Sequence, residues 1–209
     1  MNRTVSMKIV GDLACFTRPE FKSERVSYPI ITPSAARGCL EAVMWKPSMR
    51  WQVEQIAVLK PIKYVGFKRN EVTDKMSLGS ELFADDKRAQ RNTVALRDVS
   101  YVISAKVILT RRASNEENET KFIEMFERRL SRGQTFAQPY LGCREFVGYV
   151  SKAETNYSAI SESRDLGFVL YDIERDGSGR AIRPIFFQAR MDNGVINVPD
   201  LSTSGEFEC

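Results

Sequence analysis

The sequence predicts an α+β fold: a ferredoxin-like domain over residues 1–150 with an inserted β-hairpin, then a small antiparallel β-sheet domain over 151–209. Three observations lead there. Stretches of period-two alternation flank two segments of helical period, in the order strand, helix, strand, hairpin, strand, helix, strand, which is the split βαβ arrangement. Residues 151–209 hold only short strand-like runs, punctuated by Asp176-Gly177 and Asn193-Gly194. Finally, 43% hydrophobic residues in a chain of 209 suffice for a sizeable core.

The first strand covers residues 5–16, where Val5, Met7 and Ile9 alternate and Gly11 marks a bulge or a close backbone approach. Residues 17–27 are polar and basic, without period, and read as a loop. Thr32 is an N-cap and Pro33 fits the first helical position, where its missing N–H costs nothing. Ala36, Leu40 and Val43 then give helix one, about 33–45, its packing face, and Pro47 stops it. Residues 51–59 form the next strand and 62–72 another, which opens the inserted hairpin. Residues 73–92 are charged and aperiodic; 93–109 alternate again.

Ser114-x-x-Glu117 is a capping box and starts helix two, with Phe122, Met125, Phe126 and Leu130 on one face and Arg132-Gly133 at its end. Residues 145–150 read as a short strand. Asn193-Gly194 fits a type I′ hairpin turn, and residues 202–209 read as a frayed tail.

Composition removes several function classes. There is no histidine, and Cys15, Cys39, Cys143 and Cys209 are scattered without a C-x-x-C pair. A zinc site is therefore not expected, nor is any other metal or cofactor. Ser-His-Asp, Cys-His and two-histidine mechanisms fall away too, which leaves acid–base work to Lys, Tyr, carboxylates or water. No apolar run reaches the ~18–20 residues of a membrane span, and the N-terminus alternates instead of forming a signal peptide. No membrane association and a cytoplasmic location are the expectation.

Charge is unevenly placed. Residues 1–112 hold 20 Lys+Arg against 11 Asp+Glu, and residues 113–209 hold 11 against 16. A basic first half points to a polyanionic partner. A solvated surface with uneven charge is the alternative.

The segments GDLACFTRPEFKSERVSYPIITPSAARGCLEAVMWKP, LKPIKYVGFKRNEV, LRDVSYV and RGQTFAQPYLGCREF, spread over residues 11–149, closely resemble one CRISPR-associated family. It is the RAMP-superfamily endoribonuclease of the subtype I-C Cascade, the Dvulg-type member of the fifth Cas family. The resemblance implies a ferredoxin-like RAMP domain, RNA cleavage without metal at the base of a repeat stem-loop, and retention on the 5′ handle. The partners it implies are the CRISPR precursor RNA, the mature crRNA and other Cascade subunits. A non-catalytic handle-binding subunit is the alternative, and general nucleic-acid affinity that includes duplex DNA is a third reading.

The family's site combines a Tyr or His near the end of helix one with a Lys-His pair at the start of helix two. Here the first position is Met44, and the pair aligns with Thr120 and Lys121. This departure leaves Lys121 as the chief catalytic candidate and Thr120 as a hydrogen-bonding one. Lys121 also fits an exposed helix lysine paired with Glu117. Tyr28 and Tyr101 are candidate substitutes for the lost base, although strand tyrosines also serve as packing. For RNA contact the candidates are Arg18, Lys22 and Arg25 after strand one, Arg37 and Lys46 on helix one, and Lys68 and Arg69 on the hairpin. Arg132 and Gly133, at the end of helix two, complete the set. Trp45 and Phe16 suit base stacking or core packing.

Overall fold

The computed structural model describes residues 3–21, 24–74, 79, 81, 83, 85–176 and 178–200. Two helices pack against a nine-stranded sheet. The elements are β1 (Val5–Ala14), β2 (Arg25–Val26), α1 (Pro33–Val43), β3 (Met49–Val58), β4 (Tyr64–Val72) and β5 (Arg88–Leu109). They continue with α2 (Glu119–Ser131), β6 (Tyr149–Lys152), β7 (Arg164–Arg175), β8 (Ala181–Asp192) and β9 (Val195–Asn197). The strand order is β6-β1-β5-β3-β9-β8-β7, with β2 and β4 both paired to β5.

α1 forms where its caps and periodicity agree. Thr32 accepts from the Ala35 amide at 3.3 Å, and Pro33, Ala36, Cys39, Leu40 and Val43 are buried. It ends two residues earlier than the 33–45 expected, because Met44 adopts extended backbone as the C-cap. Helix two begins later than its capping box suggested. Asn118 is the N-cap and accepts from the Lys121 amide at 2.9 Å, while Ser114–Glu117 closes a separate turn. An Asn nearer the apolar face caps the helix directly, so the box orders the approach to it.

β5 is longer than residues 93–109. It starts at Arg88, opposite Val72, so the aperiodic residues 88–92 belong to the hairpin with β4. Asp98, at φ 54, divides the part paired to β4 from the part paired to β3; a short polar side chain tolerates that left-handed conformation. The short strand before residue 150 lies at Tyr149–Lys152, beyond the 145–150 expected.

The C-terminal strands continue the sheet, since β9 pairs with β3. The Asn193-Gly194 turn forms as expected, with φ of 48° and 76°, the left-handed pair that a type I′ turn needs. Gly177 and residues 201–209, the latter including the expected frayed tail, lie outside the described residues.

Trp51 is the largest fully buried side chain. It meets Phe126 of α2 edge-on at 4.7 Å and donates its Nε1 hydrogen to the Met44 carbonyl at 2.9 Å. One residue thus binds β3 to α2 and to the end of α1. Among the described residues, no helix is long and apolar enough to cross a membrane.

Candidate nucleic-acid interface

The segment that leaves α1 meets both ends of α2. On one side Ser48 Oγ donates to Glu117 Oε1 at 3.0 Å, and Glu117 Oε2 accepts from the Ser114 amide at 3.1 Å. Thr110, just after β5, donates through Oγ1 to the Pro47 carbonyl at 2.8 Å and through its amide to Ser48 O. On the other side Arg129 Nη1 donates to the Val43 carbonyl at 3.1 Å. The Phe136 and Ala137 amides close on Ala42 O, which satisfies the carbonyl end of α1.

One carboxylate there is held by two neutral donors, the Ser48 hydroxyl and the Ser114 amide. The Ser114 amide, the Ser48 hydroxyl, Lys46 and Lys121 together hold the Glu117 carboxyl below its ordinary value. Thr120 and Lys121 are exposed beside it. Trp45, next to Lys46, is 53% exposed, and Phe136 is 80% exposed. Arg112 follows Thr110 on the same rim. Basic groups and open aromatic faces along the segment leaving α1 and around α2 are the constituents of a single-stranded nucleic-acid contact.

The other expected positions are placed differently. Tyr28 and Tyr101 are in the core, at 1% and 2% exposure, and burial pushes both phenols above their ordinary values. That environment suits packing. Met44 is fully buried and Phe16 almost so, which leaves Trp45 as the open aromatic of the pair weighed for stacking.

Arg37 is tied to Asp172 of β7 through both terminal nitrogens, and Glu41 lies 3.5 Å away. It braces α1 against β7. Arg25 pairs with Glu71, Nε to Oε1 at 2.6 Å. Arg69 pairs with Glu145 and lies over the Phe146 ring at 5.7 Å. Arg18 covers the Tyr28 ring at 5.0 Å and stands 3.7 Å from Glu20. Such contacts hold elements together and leave less of each guanidinium for a phosphate. Lys68 points outward from β4, and Arg132 is exposed. The Gly133 amide donates to Leu130 O at 3.2 Å with φ at +63°, so it serves the helix end and not an anion. Lys22 lies outside the described residues.

Sequence reasoning used Glu117 only as a capping residue and as the partner of Lys121, and did not single out Ser48 or Arg112. The Ser114–Glu117 box carried the one signal for Glu117; nothing local marks the other two.

A mixed α/β body with helices on a large sheet matches a known fold. A crystal structure of a CRISPR-associated protein superposes with a TM-score of 0.73, covering 97% of this chain and 94% of the other at 21% identity. Residues 4–199 match the family described as CRISPR-associated protein (Cas_Cas5). Two curated relatives are each named CRISPR pre-crRNA endoribonuclease Cas5d. The one from Mannheimia succiniciproducens is 44% identical over 219 residues, 95% of this chain and 96% of the relative. The one from Thermus thermophilus is 40% identical over 211 residues, 93% and 91% of the two chains. The chain belongs to the Cas5d family of CRISPR-associated proteins.

Proposed function

We propose that this protein is a metal-independent endoribonuclease that cuts CRISPR precursor RNA in the repeat and stays on the 5′ handle of the product. The curated relatives carry that activity in their names. The single observation that carries the reading to specific residues is the Ser48–Glu117 hydrogen bond, which ties the segment bearing Lys46 and the exposed Trp45 to the turn that precedes Lys121.

In this reading the substrate's 2′-hydroxyl oxygen gives its proton to solvent and attacks the adjacent phosphorus, the P–O5′ bond breaks to leave a 2′,3′-cyclic phosphate, and the 5′-oxygen departs with a proton. The protein orients the two oxygens in line and offsets charge on the phosphorane. Lys121 supplies charge and the proton for the leaving oxygen, Lys46 holds the neighbouring phosphate, and Thr120 donates a hydrogen bond. Glu117 joins the two segments that carry these ammonium groups. Trp45 stacks on a base next to the cut. The cytoplasm is the compartment and other Cascade subunits are the protein partners.

The strand order β6-β1-β5-β3 with α1 and α2 supports a ferredoxin-like RAMP arrangement for residues 1–150. In that division the β7–β8 hairpin of residues 151–209 braces α1 through Arg37 and Asp172.

A second reading, an RNA-holding subunit without cleavage, is favoured by Met44, a buried thioether where the family resemblance implies a Tyr or His. One experiment separates the two. Purified protein is incubated with end-labelled repeat RNA in EDTA, beside the same RNA with a single 2′-deoxy group at the cut site. Cleavage of the first alone supports the enzyme. Tight binding with both intact leaves the holding role, and cleavage of both refutes attack by the 2′-hydroxyl.

A further inference from the structure

Two cysteines from distant parts of the chain lie against each other. Cys15 follows β1 and is buried; Cys143 sits in the loop before β6 and is half-buried, with its Sγ 3.9 Å from the Cys15 carbonyl. The loop is fixed independently of the sulfurs. The Cys15 amide donates to Leu141 O at 3.0 Å, Phe67 meets Phe146 edge-on at 6.4 Å, and Arg69 pairs with Glu145.

The charged groups around the pair are cations held in place by carboxylates. Arg25 of β2 is anchored by Glu71, and Arg69 of β4 by Glu145. Arg69 Nη1 is buried without an oxygen acceptor, and Arg69 acts on the Cys143 sulfur. The neighbouring Cys15 thiol, then Arg25 and Arg69, hold the Cys143 thiol below its ordinary value, whereas the Cys15 thiol is pushed up by its neighbour Cys143 and by burial. A half-open thiol beside guanidinium groups, with a buried thiol against it, is the arrangement of an attacking and a resolving cysteine.

We propose that Cys143 and Cys15 form an oxidisable dithiol, with Cys143 the nucleophile toward a peroxide and Cys15 the thiol that resolves the product. Cys143 sulfur attacks one peroxide oxygen; the O–O bond breaks, water leaves and a sulfenic acid forms. Cys15 sulfur then attacks the sulfenic sulfur, the S–O bond breaks, and the Cys15 proton departs with the hydroxyl as a second water. Two thiols and one peroxide thus give one disulfide and two waters. The disulfide would clamp the loop before β6 to the end of β1. It requires no RNA and stands apart from the cleavage reading.

The test uses the full chain carrying Cys209→Ser, so that the terminal thiol forms no cross-links. Alkylation by iodoacetamide is followed by peptide mass spectrometry across pH 5–9, and hydrogen peroxide is added in a second series. The expected result is Cys143 alkylation that is half-maximal below the ~8.5 of a free cysteine, and a Cys15–Cys143 cross-linked peptide that dithiothreitol reverses. With Cys15→Ser added, peroxide should leave a Cys143 sulfenic acid that dimedone traps. Half-maximal alkylation at or above the ~8.5 of a free cysteine overturns the proposal. So does peroxide oxidation of Cys143 without the cross-link.

Discussion

Ser48 Oγ and Glu117 Oε1 stand 3.0 Å apart and join the segment leaving α1 to the turn that opens α2. Sixty-nine residues separate them in sequence. This contact joins the segment that carries Lys46 to the turn that precedes Lys121, so the proposed cleavage site depends on it.

Lys121→Ala should lower single-turnover cleavage of repeat RNA by about 10²–10⁴-fold, the usual contribution of a positioned proton donor. Lys121 is exposed on the first turn of α2, so folding is expected to be unchanged. Gel-shift affinity should move by less than about tenfold, since one phosphate contact is lost among several. Normal cleavage by this variant would remove Lys121 from the mechanism.

Trp45→Ala tests the stacking role. The indole is 53% exposed, so its removal opens no core cavity. Loss of one base stack costs about 1–3 kcal/mol, which fluorescence anisotropy would read as roughly a 5- to 150-fold weaker handle affinity. An unchanged affinity would place RNA elsewhere.

Asp172→Ala addresses the ion pair between α1 and β7. The substitution leaves Arg37 half-buried with only Glu41, at 3.5 Å, as partner. A loss of about 1–3 kcal/mol in urea unfolding is expected, below the full cost of an orphaned buried charge because Arg37 keeps some solvent. RNA affinity at fixed salt should hold, which would confirm that Arg37 braces the fold and leaves the phosphates to other cations.

The Arg25–Glu71 pair gives a pH-dependent prediction. Hydrogen bonding from Arg25 holds the Glu71 carboxyl below its ordinary value. A carboxyl lowered in the folded state adds stability above its unfolded value, and that stability is lost as pH falls through the folded one. Glu71→Gln should therefore cost about 0.2–1 kcal/mol at pH 7, and the gap to wild type should close as pH drops below the normal carboxylate range. Urea midpoints measured from pH 7 to pH 3 check this.

Gly142→Ala should destabilise through backbone strain and overlap together. Its φ is +86°, and an added Cβ would fall 2.0 Å from the Cys15 carbonyl oxygen. Neither the left-handed backbone nor a carbonyl in a packed strand end yields cheaply, so the cost should reach about 3 kcal/mol or more. A thermal midpoint near that of wild type would mean that the loop before β6 moves freely.

The sequence by itself determined the elements that local chemistry dictates. Thr32-Pro33 opened α1, the alternation from Tyr101 to Leu109 made a strand, Arg132-Gly133 ended α2, and Asn193-Gly194 turned the last hairpin. Each depends on residues a few positions apart, and so does the placing of Lys46 and Lys121 at helix ends. Tertiary structure alone decided which cations stay at a surface. Arg25, Arg37 and Arg69 read as equals of Lys46 along the chain, yet Glu71, Asp172 and Glu145, brought from 46, 135 and 76 positions away, pair with them. A guanidinium shows its partner only once strands have come into register, because a salt bridge is set by distance in space and leaves no period in the sequence.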